Sequence, residues 1–267
     1  MSPAAASRPG RTVGPRIVER LHALLAGPAA HIAVKEVTLG LGYTAVALED
    51  GSVGVAYTWI QSKECCSFAR GWTDAEGGPA LALLDLLLGG DGLERSVGMA
   101  TVNALNHRAA LALPRDEGPA GALVRELGIT SGTRVSMVGF FPPVARALEV
   151  LGASLDVVDD DKGMGDHAAF EAALAERTDV LIVTSTALLN DTADALLALA
   201  GPRVKAALLG PTTPLLAEAF AGTQVALLAG MAPVDTAAVL RAVRHGAGAP
   251  ELLRLSRKVY CSCGGGA

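Results

Sequence analysis

The sequence predicts an α/β protein: a small α+β part followed by a parallel sheet with helices on both faces. Three observations carry this. Strand-like and helix-like segments alternate five times between Arg134 and His245, the signature of a parallel sheet with crossover helices. Upstream, two short β-rich segments flank Asp50-Gly51, a strong hairpin signal. Hydrophobic residues make up 51% of the 267 residues but aromatic residues only 4%, so the core must be aliphatic. A chain of this length can bury a sizeable core.

In chain order, Pro15 to Leu25 carries Ile17, Val18, Leu21, Leu24 and Leu25 at helical spacing. His31 to Leu39, Tyr43 to Leu48 and Val53 to Thr58 read as an antiparallel meander. Pro79 to Leu88 and Leu93 to Leu113 read as helices, the second with Val97, Ala100, Ala104 and Leu105 on one side. Strands follow at Arg134 to Gly139, Ser154 to Val158, Val180 to Thr184, Val204 to Leu209 and Val225 to Leu228. They are short and apolar throughout, as strands covered on both faces should be. The paired helices are Val144 to Leu151, His167 to Glu176, Thr192 to Ala200, Leu215 to Phe220 and Val234 to His245. Domains are expected at residues 15–128 and 129–260. The tail from Ser256 to Ala267 ends in glycines and is expected to be disordered.

The formal net charge is −5, which argues against nucleic-acid binding, since that needs a basic footprint. Asp156, Asp159, Asp160 and Asp161 form an acidic cluster that reads as solvated surface. Mean hydropathy is +0.39, yet the longest uncharged stretch, Ala219 to Val234, is broken by Gly222, Gly230 and Pro233. No membrane span is expected. The N-terminus lacks an apolar core of the secretory kind, and four cysteines in so long a chain do not make a disulfide framework. A cytoplasmic location is expected. The oligomeric state is open, a homo-oligomer included.

In open parallel sheets, ligands bind beyond the carboxyl ends of the strands. The candidates there are Gly139, Phe140 and Phe141; Asp159; Thr184, Ser185, Thr186 and Asn190; and Gly210, Pro211, Thr212 and Thr213. Pro142, Pro214 and Pro233 suit first helical positions. Thr212 and Thr213 beside a helix N-terminus could hold a carboxylate or phosphate; ordinary capping explains Thr213 and Asn190 equally well. NAD binding of the usual kind is not expected, because Gly139-Phe140-Phe141-Pro142-Pro143 replaces the glycine-rich turn. Asp159, at the offset of a ribose-binding acid, is weak support alone. Phe140 and Phe141 fit ligand stacking or packing between the two parts.

Tyr57, Trp59, Phe68 and Trp72, interleaved with polar residues, suggest a binding loop. Cys65 and Cys66 are weak candidates for a soft metal, since no Cys-x-x-Cys pair exists. Cys261-x-Cys263 is likewise a weak metal signal, and free thiols are the expectation for both pairs. Lys35 and Glu36 could point into a cleft or lie on a solvated strand face. Asn103 fits a buried, hydrogen-bonded position, and His107 reads as surface. No serine nucleophile elbow, P-loop or His-Glu-x-x-His helix is present.

A set of segments, specific together, resembles a known family. They are Val37-Thr38-Leu39-Gly40 with Tyr43-Thr44-Ala45-Val46; Ser96-Val97-Gly98-Met99-Ala100 with Val102-Asn103-Ala104-Leu105-Asn106; Val138-Gly139-Phe140-Phe141-Pro142; Thr184-Ser185-Thr186-Ala187-Leu188-Leu189-Asn190; and Gly210-Pro211-Thr212-Thr213-Pro214. From about Pro15 to Tyr260 the chain resembles the prokaryotic family labelled "putative heavy-metal chelation". The resemblance implies an enolase-N-terminal-like domain, without enolase catalysis, then a Rossmann-like domain. It also implies a cleft between them, bounded by the glycine- and threonine-rich loops. The paired cysteines match no motif of that family.

The leading functional expectation is binding of a small anionic molecule or a metal–chelate complex in that cleft. The cofactor is unknown; a metal ion or metal complex would bring its own oxygen- or nitrogen-rich ligand, because no closed protein ligand set is visible. The alternative is an enzyme acting on a heterocyclic or cofactor-like substrate in cofactor biosynthesis, with Asp159, Asn190 and Lys35 as polar participants. A third reading has the 57–72 loop capture a partner. Tyr57, Trp59, Phe68, Trp72, Phe140 and Phe141 are expected to border one cleft.

Overall fold

A computed structural model of the protein describes residues 14–60, 74–89, 91–118 and 120–264. The chain begins with α1 (Ile17–Ala29) and a three-stranded antiparallel sheet, β1 (Val34–Leu39), β2 (Tyr43–Leu48) and β3 (Val53–Tyr57), in that order. The hairpin predicted at Asp50-Gly51 is present, with Gly51 at φ 85°, the left-handed residue that closes a three-residue loop. Helices α2 (Leu81–Asp85), α3 (Gly92–Leu105), α4 (His107–Leu111) and α5 (Gly121–Leu127) follow.

The predicted Leu93 to Leu113 helix is therefore two. It breaks at Asn106, whose side-chain amide donates instead to the Leu215 carbonyl at 2.7 Å. Asp91 caps α3, its Oδ1 accepting the N–H groups of Leu93 and Glu94 at 3.0 Å. Helix α3 lies on the sheet so closely that a Cβ on Gly54 would overlap its backbone at Ala100 and Ala104. Only glycine allows that approach.

The second half contains β4 (Arg134–Val138), α6 (Pro142–Leu151), β5 (Ser154–Val158), α7 (His167–Glu176) and β6 (Val180–Thr184). It continues through α8 (Ala193–Ala200), β7 (Lys205–Leu209), β8 (Val225–Pro233), α9 (Thr236–Arg244), α10 (Ala249–Arg254) and β9 (Ser256–Ser262). The sheet order is β5-β4-β6-β7-β8-β9, parallel except for β9. Strand order reverses at β4, so the switch point lies between the carboxyl ends of β4 and β6. One face packs Val135, Met137, Val180 and Ile182 on α5 and α6 residues such as Leu123 and Leu148. The alternate residues Leu181 and Val183 face Phe170, Leu174 and Leu197. This is the period-two division expected of a strand covered on both sides.

Three expectations are corrected here. The tail is not free: Ser256–Ser262 forms the antiparallel edge strand, paired with Leu227 to Pro233. Pro233 does not start a helix; it ends β8 opposite Ser256, and Gly230 lies inside that strand. Helix α9 does not cover the parallel sheet. Val239, Leu240 and Val243 pack on Tyr43, Ala45, Val53 and Val55 of the first sheet. β2 thus has α3 on one face and α9 on the other, which is why all six of its residues are buried.

Candidate functional site

A cavity of about 890 Å³ opens at the carboxyl ends of β4, β5, β6 and β7 beside the middle of β8, and the end of β3 closes one side of it. Of the residues the sequence singles out, Gly139, Phe140, Phe141, Asp159, Thr184, Ser185, Thr186, Asn190, Gly210, Pro211 and Thr212 line it. Thr213 is buried behind them, and Lys35, Glu36 and Asn103 lie elsewhere. Glu36 accepts a hydrogen bond from Arg244 Nη2 at 2.6 Å. Cys65, Cys66, Phe68 and Trp72 lie outside the described residues.

The aromatic grouping is visible among the described residues: Tyr43, Tyr57, Trp59, Phe140 and Phe141 all line the cavity. Tyr43 and Tyr57 are cross-strand partners, stacked edge to face with centroids 6.0 Å apart. Burial pushes the Tyr43 hydroxyl up to about 12, so it stays protonated. Phe140 and Phe141 are half-exposed, held at the mouth by the turn after β4.

That turn is fixed from below. Asp159 is buried, and its carboxylate accepts the Phe140 N–H at 2.7 Å, the Lys162 N–H at 3.0 Å and the Lys162 ammonium at 2.6 Å. Burial alone would raise this carboxyl; the Lys162 charge and the two backbone donors outweigh it and hold Asp159 below the ordinary carboxylate value. Asp159 is a bracket between two loops, with little capacity left for a ribose. Pro142 and Pro143 occupy the first helical positions of α6 and contribute no N–H there.

The threonine-rich loops divide into structural and available hydroxyls. Ser185 Oγ stands 2.7 Å from Thr213 Oγ1, which is within 2.9 Å of the carbonyls of Gly210 and Ala229. This pair is buried and internally satisfied. Thr212 Oγ1 accepts the Tyr57 N–H at 2.9 Å, so it joins the two sheets. Asn103 Nδ2 donates to the carbonyls of Val55 at 2.8 Å and Thr212 at 3.3 Å. Its role is also to join the two parts. Asn190 Oδ1 accepts from the Thr192 hydroxyl at 2.7 Å and caps the following turn. Thr184 and Thr186, with hydroxyls 3.0 Å apart, are half-buried at the cavity wall.

Sequence reasoning missed Asp116, His167 and Lys258 as lining residues and read Asp160 and Asp161 as plain surface. Tyr43 was within reach, because the Asp50-Gly51 hairpin sets it opposite Tyr57. Lys258 carries no signal, since Ser256-Arg257-Lys258 has the polar pattern of a tail although it lies in β9. His107 is a further correction: it is buried, with Nε2 2.8 Å from the Pro233 carbonyl and Nδ1 accepting the Val53 N–H at 3.4 Å. The described residues contain no group of three His, Cys, Asp or Glu placed to hold a metal ion. Cys261 and Cys263 are free thiols, and burial pushes Cys263 up to about 12. These residues do not form a ligand set for a bare ion.

No curated protein matches the chain. Solved structures share its fold, two of them as follows. A protein of unknown function from the DUF364 family of Pyrococcus horikoshii is 22% identical with a TM-score of 0.75, covering 92% of this chain and 100% of its own. A second, from Desulfitobacterium hafniense, is 20% identical with a TM-score of 0.74, covering 92% and 97%. Family models described as "Putative heavy-metal chelation" match residues 22–106, for DUF4213, and residues 122–262, for DUF364. The second match spans more than half of the chain, which therefore belongs to the DUF364 family, described as "Putative heavy-metal chelation".

Proposed function

We propose that the protein binds a metal–chelate complex or a small anionic molecule of similar size in the cavity at the sheet switch point. The observation that carries this is the aromatic wall. Tyr57, Trp59, Phe140 and Phe141 converge on an 890 Å³ space that also offers the Thr184 and Thr186 hydroxyls. A few polar groups in a mostly apolar concavity is the usual make-up of a small-molecule site. The family description supports a metal-related ligand. The described residues do not build a cage for a bare ion, so the metal is cargo that arrives with most of its coordination supplied by an organic ligand.

The test is calorimetric titration with nickel(II), cobalt(II), copper(II) and zinc(II), each alone and as the 2,2′-bipyridine complex, with citrate as the anionic probe. At least one complex, or citrate, should bind, and the Phe140→Ala/Phe141→Ala double variant should weaken it about tenfold or more, the loss expected on removing two packing rings. Uptake by none of the probes, or uptake indifferent to both rings, would remove the proposal.

A further inference from the structure

We infer that this cavity selects a ligand of net positive charge and turns phosphate-bearing ligands away, so that a cationic metal chelate, or an organic cation of the same shape, suits it. The inference rests on the binding reading above and chooses between its two ligand classes. In doubly wound sheets the turn after a switch-point strand gives its N–H groups, and the N-terminus of the next helix, to a phosphate. Here the donors at Phe140, Pro142 and Pro143 are absent or already used. Pro142 and Pro143 stand at the first positions of α6 and carry no N–H. The Phe140 N–H points to Asp159 Oδ2 at 2.7 Å. That carboxylate is only 7% exposed and also holds the Lys162 ammonium at 2.6 Å. The protein's own anion has taken up the Phe140 N–H that a ligand phosphate would use, together with the nearby Lys162 cation. A second anion would meet like charge with fewer donors to solvate it.

The remaining charge points the same way. The cavity is lined by Asp116, Asp159, Asp160 and Asp161 against Lys162 and Lys258. Asp160 and Asp161 are exposed on the turn that follows β5, and Asp160 draws His167 Nε2 to 2.7 Å. Burial raises the Tyr57 hydroxyl, Asp161 adds to the rise and Lys162 opposes it, so charge from this turn reaches the aromatic wall. With Lys162 paired to Asp159, Asp116, Asp160 and Asp161 outnumber Lys258, an excess of negative charge beside apolar walls, and aromatic rings are themselves partners for a cation.

A probe series with one planar frame tests this: 10-methylacridinium (cation), acridine (neutral) and acridine-9-carboxylate (anion), titrated at pH 8 by fluorescence, with ADP as competitor. The cation should bind at least tenfold more tightly than the anion, and ADP should not displace it. In Asp160→Asn/Asp161→Asn the cation should weaken about fivefold, the range for two exposed charge contacts, while neutral acridine keeps its affinity and reports an intact fold. Equal or tighter binding of the anion, displacement by ADP, or a cation preference untouched by the double variant would overturn the inference and leave the binding site standing. Binding of none of the three frames would overturn the inference, and if the bipyridine complexes and citrate also fail, the site falls with it.

Discussion

Gly139 ends the switch-point strand at φ 81°, a left-handed conformation that costs a side chain about 1 kcal/mol or more. A Cβ there would also stand 2.9 Å from the Thr184 Cβ on the neighbouring strand. The two terms add at one position. Gly139→Ala is expected to lower stability by about 2–3 kcal/mol in urea titration and to displace Phe140, weakening any ligand of the cavity. An unchanged midpoint and unchanged binding would show that the turn relaxes at no cost. Gly139 and its neighbours could be picked out in the sequence from their place after an apolar strand. That Asp159 braces the turn could not, because its partners Phe140 and Lys162 depend on where β4 and β5 stop.

At the scale of the element, the parallel strands β4 and β6 are joined at their entry as well as along their ladder. Asp179 accepts the Arg134 backbone N–H and its Nε, both at 2.9 Å. The Arg134 guanidinium holds the Asp179 carboxyl down to about 2 from its ordinary 3.8. A depressed folded-state value means that the contribution is present above pH 3.8 and is lost as pH falls toward 2. Both side chains are about half exposed, so solvent screens the pair and its contribution is small. Asp179→Asn should therefore show a shallower loss of stability between pH 4 and pH 2 than the unmodified protein, in urea unfolding followed across pH. Parallel slopes would exclude the pair as an acid-sensitive contact. Strand type was legible wherever apolar runs were short and bounded by turns. Strand β9 was not, because Ser256-Arg257-Lys258 reads as polar tail. An edge strand needs only one covered residue face, and Val259 supplies it at 0% exposure.

For the whole molecule, the two halves share one core. Residues of the first sheet such as Val46 and Leu48 belong to the same packed cluster as Leu181, Leu208 and Leu228 of the second. Helix α9 returns to cover the first sheet. α5, although it precedes residue 129, packs on the second. A division at 128/129 would thus cut through packed surfaces. The expectation is a single unfolding transition, and residues 14–118 produced alone should lack cooperative unfolding by circular dichroism. Two separate transitions in the full chain, or a cooperatively folding fragment, would show independent domains. Hydrogen bonds reinforce the junction: Asn106 to Leu215, His107 to Pro233 and Tyr57 to Thr212. All three link distant segments.

What the sequence determined by itself is what local pattern encodes. The aliphatic composition, the hairpin at Asp50-Gly51 and the alternation of strands and helices predict the α/β class. The rule that ligands gather beyond the carboxyl ends of parallel strands then located part of the cavity wall. Tertiary structure decided the remainder, because those choices depend on contacts between residues far apart in the chain. It put α9 on the first sheet, broke the long helix at Asn106 and recruited the tail as β9. It also set Asp160, Asp161 and Lys258 around one opening. An acidic run looks the same in a sequence whether it faces bulk water or a cavity; only the packing of β3 against the loops after β5 and β7 makes that difference.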